Sequence, residues 1–199
     1  KAIEFDPKDA NAQYNLGRTY HELREYGKAV ECFNKAIELD PSWGGFHYNL
    51  GLSLGELKQH DKAIACFQKA IELDPPNALG PFALGNSLRD QKKPKEATVA
   101  FRKAIEIAPQ FTSAYINLGN LLCDDLKDYA AATECFRKAI EIEPQNAFAH
   151  NNLGIVLAST GRLNEGIEHF RSALQLRPDF VEAAANLARA EEESRSSRR

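Results

Sequence analysis

An all-α solenoid of stacked antiparallel helix pairs is the fold class this sequence predicts, and three observations predict it. Proline returns as Pro7, Pro41, Pro75, Pro109, Pro144 and Pro178, at intervals of 34, 34, 34, 35 and 34 residues, and a fixed period of that length marks a repeat array. Within each period comes a Leu-Gly step: Leu16-Gly17, Leu50-Gly51, Leu84-Gly85, Leu118-Gly119 and Leu153-Gly154. Four residues after each leucine stands Tyr20, Leu54, Leu88, Leu122 or Leu157, which gives a first helix its apolar stripe. After a turn, Ala29, Phe33, Ala36 and Ile37 form the stripe of a second helix. The same stripe recurs around Phe67, Phe101, Phe136 and Phe170.

The elements follow in order. Residues 1–7, KAIEFDP, match the last places of a repeat, so the chain is expected to open inside the second helix of a truncated preceding repeat. Repeat one spans 10–43 and repeat two 44–77. Gly44 and Gly45 open repeat two, and each lowers helix propensity by about 1 kcal/mol, so its first helix is expected to start late or to lean on a neighbour. Trp43 shares its place with Phe111 and Phe180, which points to a staple packing the loop onto the next helix; an exposed contact for a partner is the alternative. In repeat three, 78–111, Pro81 falls in a first turn and Pro94 starts the second helix, where a missing N–H does little harm. Repeat four, 112–146, holds one extra residue, expected in the turn around 123–128 because turns accept insertions. Repeat five is 147–180; a capping helix over 181–194 turns Glu191, Glu192 and Glu193 to water, and 195–199, RSSRR, is expected to be a disordered tail.

These residues in these places resemble the tetratricopeptide repeat family, and the resemblance covers almost the whole chain. It implies a right-handed superhelix whose concave groove is lined by the first helix of each pair, and it implies no catalysis. Family-wide, the groove is where function must be sought.

Composition narrows the classes. A net charge of −3 with 27% charged residues gives no basic excess for a nucleic acid. No apolar run is long enough for membrane insertion, and a soluble intracellular location, cytoplasmic or nuclear, is expected. Cys32, Cys66 and Cys135 share one place in three second helices, too far apart for disulfides, and are expected to be reduced packing thiols; Cys123 stands alone. His21, His47, His60, His150 and His169 never fall at a metal-ligand spacing, so no metal and no cofactor is expected. Catalytic signatures such as G-x-S-x-G and H-E-x-x-H are absent.

On each first helix the fourth, seventh, eighth and eleventh places form the buried stripe, leaving the second, fifth, sixth, ninth and thirteenth for the groove. The sixth place holds Asn15, Asn49, Ala83, Asn117, Asn152 and Asn186. A carboxamide carries both a donor and an acceptor, so a row of them can hold an extended peptide backbone. The row is similar to the asparagine ladder of the tetratricopeptide superhelix in O-linked N-acetylglucosamine transferases, as is NNLG at 151–154. Bonding between neighbouring helices, or duplication of one ancestral unit, explains the repetition equally well.

Beside the ladder run Tyr14, Tyr48, Phe82 and Ile116 at the fifth place, and Leu79 and Phe148 at the second. With Leu52 they make an apolar groove, unless the curvature buries them against neighbouring helices. Asn86 and Asn120, at the ninth place, extend the amide lining. Glu22, Glu56, Asp90 and Asp124 form an acidic column that is either a solvated edge or a preference for basic ligand groups. The Lys, Asn and Arg clamp of the family's chaperone-binding members is not matched: Tyr14, Arg18, Asn49, Leu79 and Ala83 stand there. The expectation is a non-catalytic scaffold binding a protein or peptide. The recognition arm of a larger enzyme, such as a glycosyltransferase, and a self-associating scaffold are the alternatives.

Overall fold

The computed structural model describes residues 9–196; the expected helix end over residues 1–7 lies outside them. Among the described residues there are only helices and turns, in the order α1 Ala10–Glu22, α2 Tyr26–Leu39, α3 Gly44–Glu56, α4 His60–Leu73, α5 Leu79–Asp90, α6 Pro94–Ile107, α7 Thr112–Asp124, α8 Tyr129–Ile142, α9 Ala147–Ser159, α10 Leu163–Leu176 and α11 Val181–Ser196. The architecture is the all-α solenoid of antiparallel pairs, in two compact units, the first ending at Pro109 and the second beginning at Gln110.

In the first unit α1 pairs with α2, α3 with α4 and α5 with α6, and each pair packs on the next. The second unit pairs α7 with α8 and α9 with α10, and α11 closes it on α10. Within each unit successive first helices touch, α1 with α3, α3 with α5, α7 with α9 and α9 with α11, while successive second helices do not. Helices that converge lie on the inside of a curve, so first helices form the concave side of each unit.

What fixes each pair is one glycine facing one phenylalanine. A Cβ at Gly17, Gly51, Gly85, Gly119 or Gly154 would lie 2.6–2.7 Å from the ring of Phe33, Phe67, Phe101, Phe136 or Phe170. All five rings are essentially fully buried. The helices therefore meet at the glycine, and the ring fills the space a side chain would take.

Burial extends beyond the four expected places. Phe46, Ala114, Ala149 and Ala183 at the third place, and Ser53, Leu121 and Val156 at the tenth, are buried as well. A first helix packs against both its own partner and the preceding pair, so its apolar arc is wider than one stripe.

Of the two outcomes expected for the glycines that open repeat two, the second is found: helix α3 begins at Gly44, which lies against Ala70 and Leu73 of α4. The glycines are there for space, since a Cβ on Gly44 would stand 3.0 Å from the Ala70 carbonyl oxygen and one on Gly45 2.5 Å from the Trp43 indole. At the other end α11 continues through Arg195 and Ser196, where a disordered tail was expected, with Arg195 Nε donating to the Glu191 carbonyl and Ser196 Oγ to that of Glu192. The extra residue sits in the α7–α8 turn: Asp128 N–H donates to the Leu122 carbonyl, where the first turn bonds Glu25 to Tyr20.

Candidate functional site

The concave side of the first unit is built on aromatic residues. At the fifth place Tyr14, Tyr48 and Phe82 each lean on the phenylalanine of their own second helix, with centroids 5.9 Å from Phe33, 6.0 Å from Phe67 and 5.9 Å from Phe101. All three are half-buried, and Tyr14 is further flanked by Trp43, Phe46 and the Arg18 guanidinium, 5.8 Å from its centroid. They are walls as much as contacts. Leu79 stands more open, 44% exposed.

Trp43 joins this wall edge-on, 4.9 Å from Tyr14 and 4.7 Å from Phe46. It works as a staple between α1 and α3 while remaining 44% exposed. Phe180 is the fuller staple, buried and 5.0 Å from Phe148 in the second unit. The Arg177 guanidinium covers both rings, at 5.4 and 5.3 Å, so Phe148, although 51% exposed, is held on two sides.

The asparagines do not form one uniform ladder. Asn15 is exposed. Asn49 is half-buried, and its Nδ2 donates to the Gly45 carbonyl at 2.9 Å and to the Tyr14 hydroxyl at 3.3 Å. Ala83, the exception in the column, is buried. Asn86, Asn117 and Ile116 are half-buried.

In the second unit the amides join one another. Arg189 Nη2 donates to Asn186 Oδ1 at 2.9 Å, and Asn186 Nδ2 donates to Asn151 Oδ1 at 3.0 Å. Asn151 Nδ2 donates to Asn152 Oδ1 at 3.2 Å, and Asn152 Nδ2 to Asn120 Oδ1 at 2.8 Å. Four carboxamides on α11, α9 and α7 make a head-to-tail relay. Its middle member, Asn151, occupies the place that holds aromatic residues in the first unit and is 5% exposed. Burying an amide is tolerable there because its oxygen and its nitrogen are both bonded. The sixth-place periodicity pointed to Asn152 and Asn186; Asn151 was visible only as a polar break in an apolar column.

Beside Arg189 a cleft opens between α9 and α11, lined by Ile155, Ala158, Phe170, Asn186 and Ala190. The acidic column of Glu22, Glu56, Asp90 and Asp124 is exposed.

Two groups outside the groove bear on chemistry. His150 and His169, 19 residues apart, bring their Nδ1 atoms to 3.1 Å, a pairing that the sequence spacing did not reveal. His150 Nε2 lies 3.2 Å from the Pro144 carbonyl, which can only accept, so a neutral His150 donates there from Nε2 and accepts a hydrogen bond at Nδ1 from His169 Nδ1–H. Burial, and then the neighbouring His150, hold the His169 pKa below the ordinary histidine value. Among the described residues no cluster of three or more His, Cys, Asp or Glu could hold a metal. Burial pushes the Cys66 thiol up to about 11 and raises Cys32 and Cys123, so these thiols stay protonated at neutral pH. No described helix is long and apolar enough to cross a membrane.

Comparison with known proteins places this geometry. Models described as tetratricopeptide repeat match residues 10–42, 46–77 and 147–180, another of that description matches 82–111, and one described as TPR repeat matches 125–161. A search of the curated proteins gives no match. Among solved structures, YrrB, described as a TPR protein with an unusual peptide-binding site, is 26% identical, with a TM-score of 0.72 over 92% of this chain and 94% of its own. MamA from Desulfovibrio magneticus, at 20% identity, gives 0.77 over 89% and 99%. PilF of Pseudomonas aeruginosa, at 21%, gives 0.75 over 92% and 89%. With the Gly-Phe contact of every pair and these matches along its length, the chain belongs to the tetratricopeptide repeat family.

Proposed function

We propose that this protein is a non-catalytic interaction scaffold whose concave side binds an extended peptide segment. The observation that carries the reading is the lining of the first helices, where half-buried rings at Tyr14, Tyr48 and Phe82 share the surface with the exposed Asn15 and the half-buried Asn49 and Asn86. Half-buried rings supply rigid apolar walls for ligand side chains, and carboxamides match the polar groups of a peptide backbone. YrrB, similar along nearly its full length, is described as carrying a peptide-binding site, which supports the same use of the surface here.

A peptide-library selection tests this reading, followed by affinity measurements on Asn15→Ala and Leu79→Asp. Both residues are exposed and take no part in the Gly-Phe contacts. Circular dichroism should be unchanged while affinity for the selected peptide falls at least about fivefold, the equivalent of roughly 1 kcal/mol. Selection of no peptide, or equal affinity in both variants, would remove the groove from consideration.

A further inference from the structure

The loops Asp40-Pro41-Ser42-Trp43 and Arg177-Pro178-Asp179-Phe180 hold the same places in repeats one and five, and each sends a ring onto the preceding first helix. Only one of the two rings is covered. Phe180 is 5% exposed: Phe148, at the second place of α9, lies on it, and the Arg177 guanidinium, paired with Asp179 at 3.2 Å, spans both rings. Trp43 is 44% exposed.

The difference comes from the residues at the corresponding places of repeat one. The second place of α1 holds the exposed Asn11, so that helix offers no ring where Phe148 stands in the second unit. Asp40 replaces Arg177, and Ser42 replaces Asp179. No described cation covers the indole: the Arg18 guanidinium lies on Tyr14 and pairs loosely with Glu22, at 3.9 Å. Ser42 donates to Asp40 Oδ1 from its N–H at 2.9 Å and from its hydroxyl at 2.6 Å. These bonds hold the Asp40 carboxyl below the usual carboxylate range, so it is charged at neutral pH, and both fall on one oxygen, which leaves Oδ2 open.

The first loop therefore has the ring and the carboxylate of the last one without its cation. A staple needs only a ring, as Phe180 shows, whereas an indole is also the strongest aromatic partner for a cation. Asp40 stands at a place from which a side chain reaches that ring, as Arg177 does in repeat five.

We propose that Trp43 and Asp40 form an arginine-receiving site, in which a guanidinium of a bound peptide stacks on the indole and pairs with the carboxylate, as Arg177 does on Phe180 within the chain. This rests on the peptide reading above, because the arginine belongs to the segment bound along the same concave side. Arginine suits the site better than lysine. A guanidinium is flat and weakly hydrated, so it stacks on a ring while its N–H groups still reach a carboxylate, and an ammonium does neither as well.

The test has two arms on the full chain. Trp43 is its one tryptophan, so fluorescence reports on this place alone. The first arm needs no ligand: Asp40→Arg supplies the guanidinium from within, and quenching of Trp43 by acrylamide should fall by about a third or more. Asp40→Gln, without the charge, should quench like the wild type. Quenching indifferent to Asp40→Arg, or lowered equally by Asp40→Gln, would overturn the site.

The second arm uses the peptides that the wild type selects. They should share an arginine, and replacing it by citrulline, which keeps the shape without the charge, should weaken binding at least about fivefold. In Asp40→Arg, whose site is filled from within, the same replacement should cost less than about twofold. If no peptide is selected, the peptide reading fails and the arginine site with it. If the peptides share no arginine, or citrulline binds as well, that reading stands and the arginine site falls.

Discussion

In the first unit the fifth place of each first helix presents a ring that leans on the phenylalanine of its own pair; in the last pair of the second unit the same place presents a buried carboxamide. The backbone solution is identical in both, since every pair is closed by one glycine against one ring. What differs is how the concave side satisfies itself: rings need only apolar contact, whereas Asn151 needs a partner on each side and finds them on α11 and within α9. The contrast separates two layers of the sequence. Residues at the Gly-Phe contact build the solenoid, and residues one turn away choose its chemistry.

The shared layer should give the largest effects and no difference between units. Phe67→Ala in the first unit and Phe136→Ala in the second each remove a ring that is 2% exposed or less. Each should cost about 3–5 kcal/mol in urea unfolding. A cost several kcal/mol smaller in one unit would mean that the contact is not the common foundation.

The differing layer comes next. Asn151→Ala strips Asn186 of its acceptor and Asn152 of its donor, leaving polar groups unsatisfied at a buried point. The expected cost is about 1–3 kcal/mol. Tyr14→Phe, its counterpart in the first unit, removes only a 3.3 Å acceptor of Asn49, whose nitrogen retains Gly45. That loss should stay within about 0.5–1 kcal/mol. Equal costs would erase the distinction between a relay and isolated bonds.

How far the sequence revealed this follows the same division. The period, the Leu-Gly steps and the phenylalanines made the helix pairs readable, because packing at those places leaves few alternatives. Gly44 and Gly45 left two outcomes open, a late start or support from a neighbour, and only the closeness of Ala70 and Trp43 decides for the second. The sixth-place asparagines stood out by repetition, yet no spacing could tell that Asn152 reaches Asn120 and Asn186 reaches Asn151. Those bonds depend on the rotation from one pair to the next, which residue identity alone does not set. The pairing of His150 with His169 escaped for the same reason.

Acidification probes the histidine pair. Neutral His169 is favoured in the folded chain by burial and by His150, so its folded pKa lies below the unfolded value of about 6.5. Its contribution is therefore complete above that value and is lost as pH falls through it toward the folded pKa. Burial lowers His47 in the first unit in the same direction. Wild-type protein should be less stable to urea at about pH 5.5 than at about pH 7.5, and His169→Gln should shrink the difference without abolishing it. An undiminished drop in that variant would shift the whole effect away from the α9–α10 pair.

The turns within pairs offer the finest comparison. In the first unit Arg24, Lys58 and Lys92 all sit at φ +60°, and Lys127 in the second at +55°, within the narrow left-handed region open to L-residues. Gly161 takes φ +82°, outside it. Lys58→Gly should shift stability by no more than about 0.5 kcal/mol, because relief of left-handed strain is offset by the freedom glycine gains when unfolded. Gly161→Lys should cost about 1 kcal/mol or more, since the lysine must enter a conformation that only glycine reaches freely. Thermal melts of the two variants check the asymmetry. Equal shifts would mean that the last turn relaxes toward the geometry of the others, and that the glycine there reflects no requirement of the backbone.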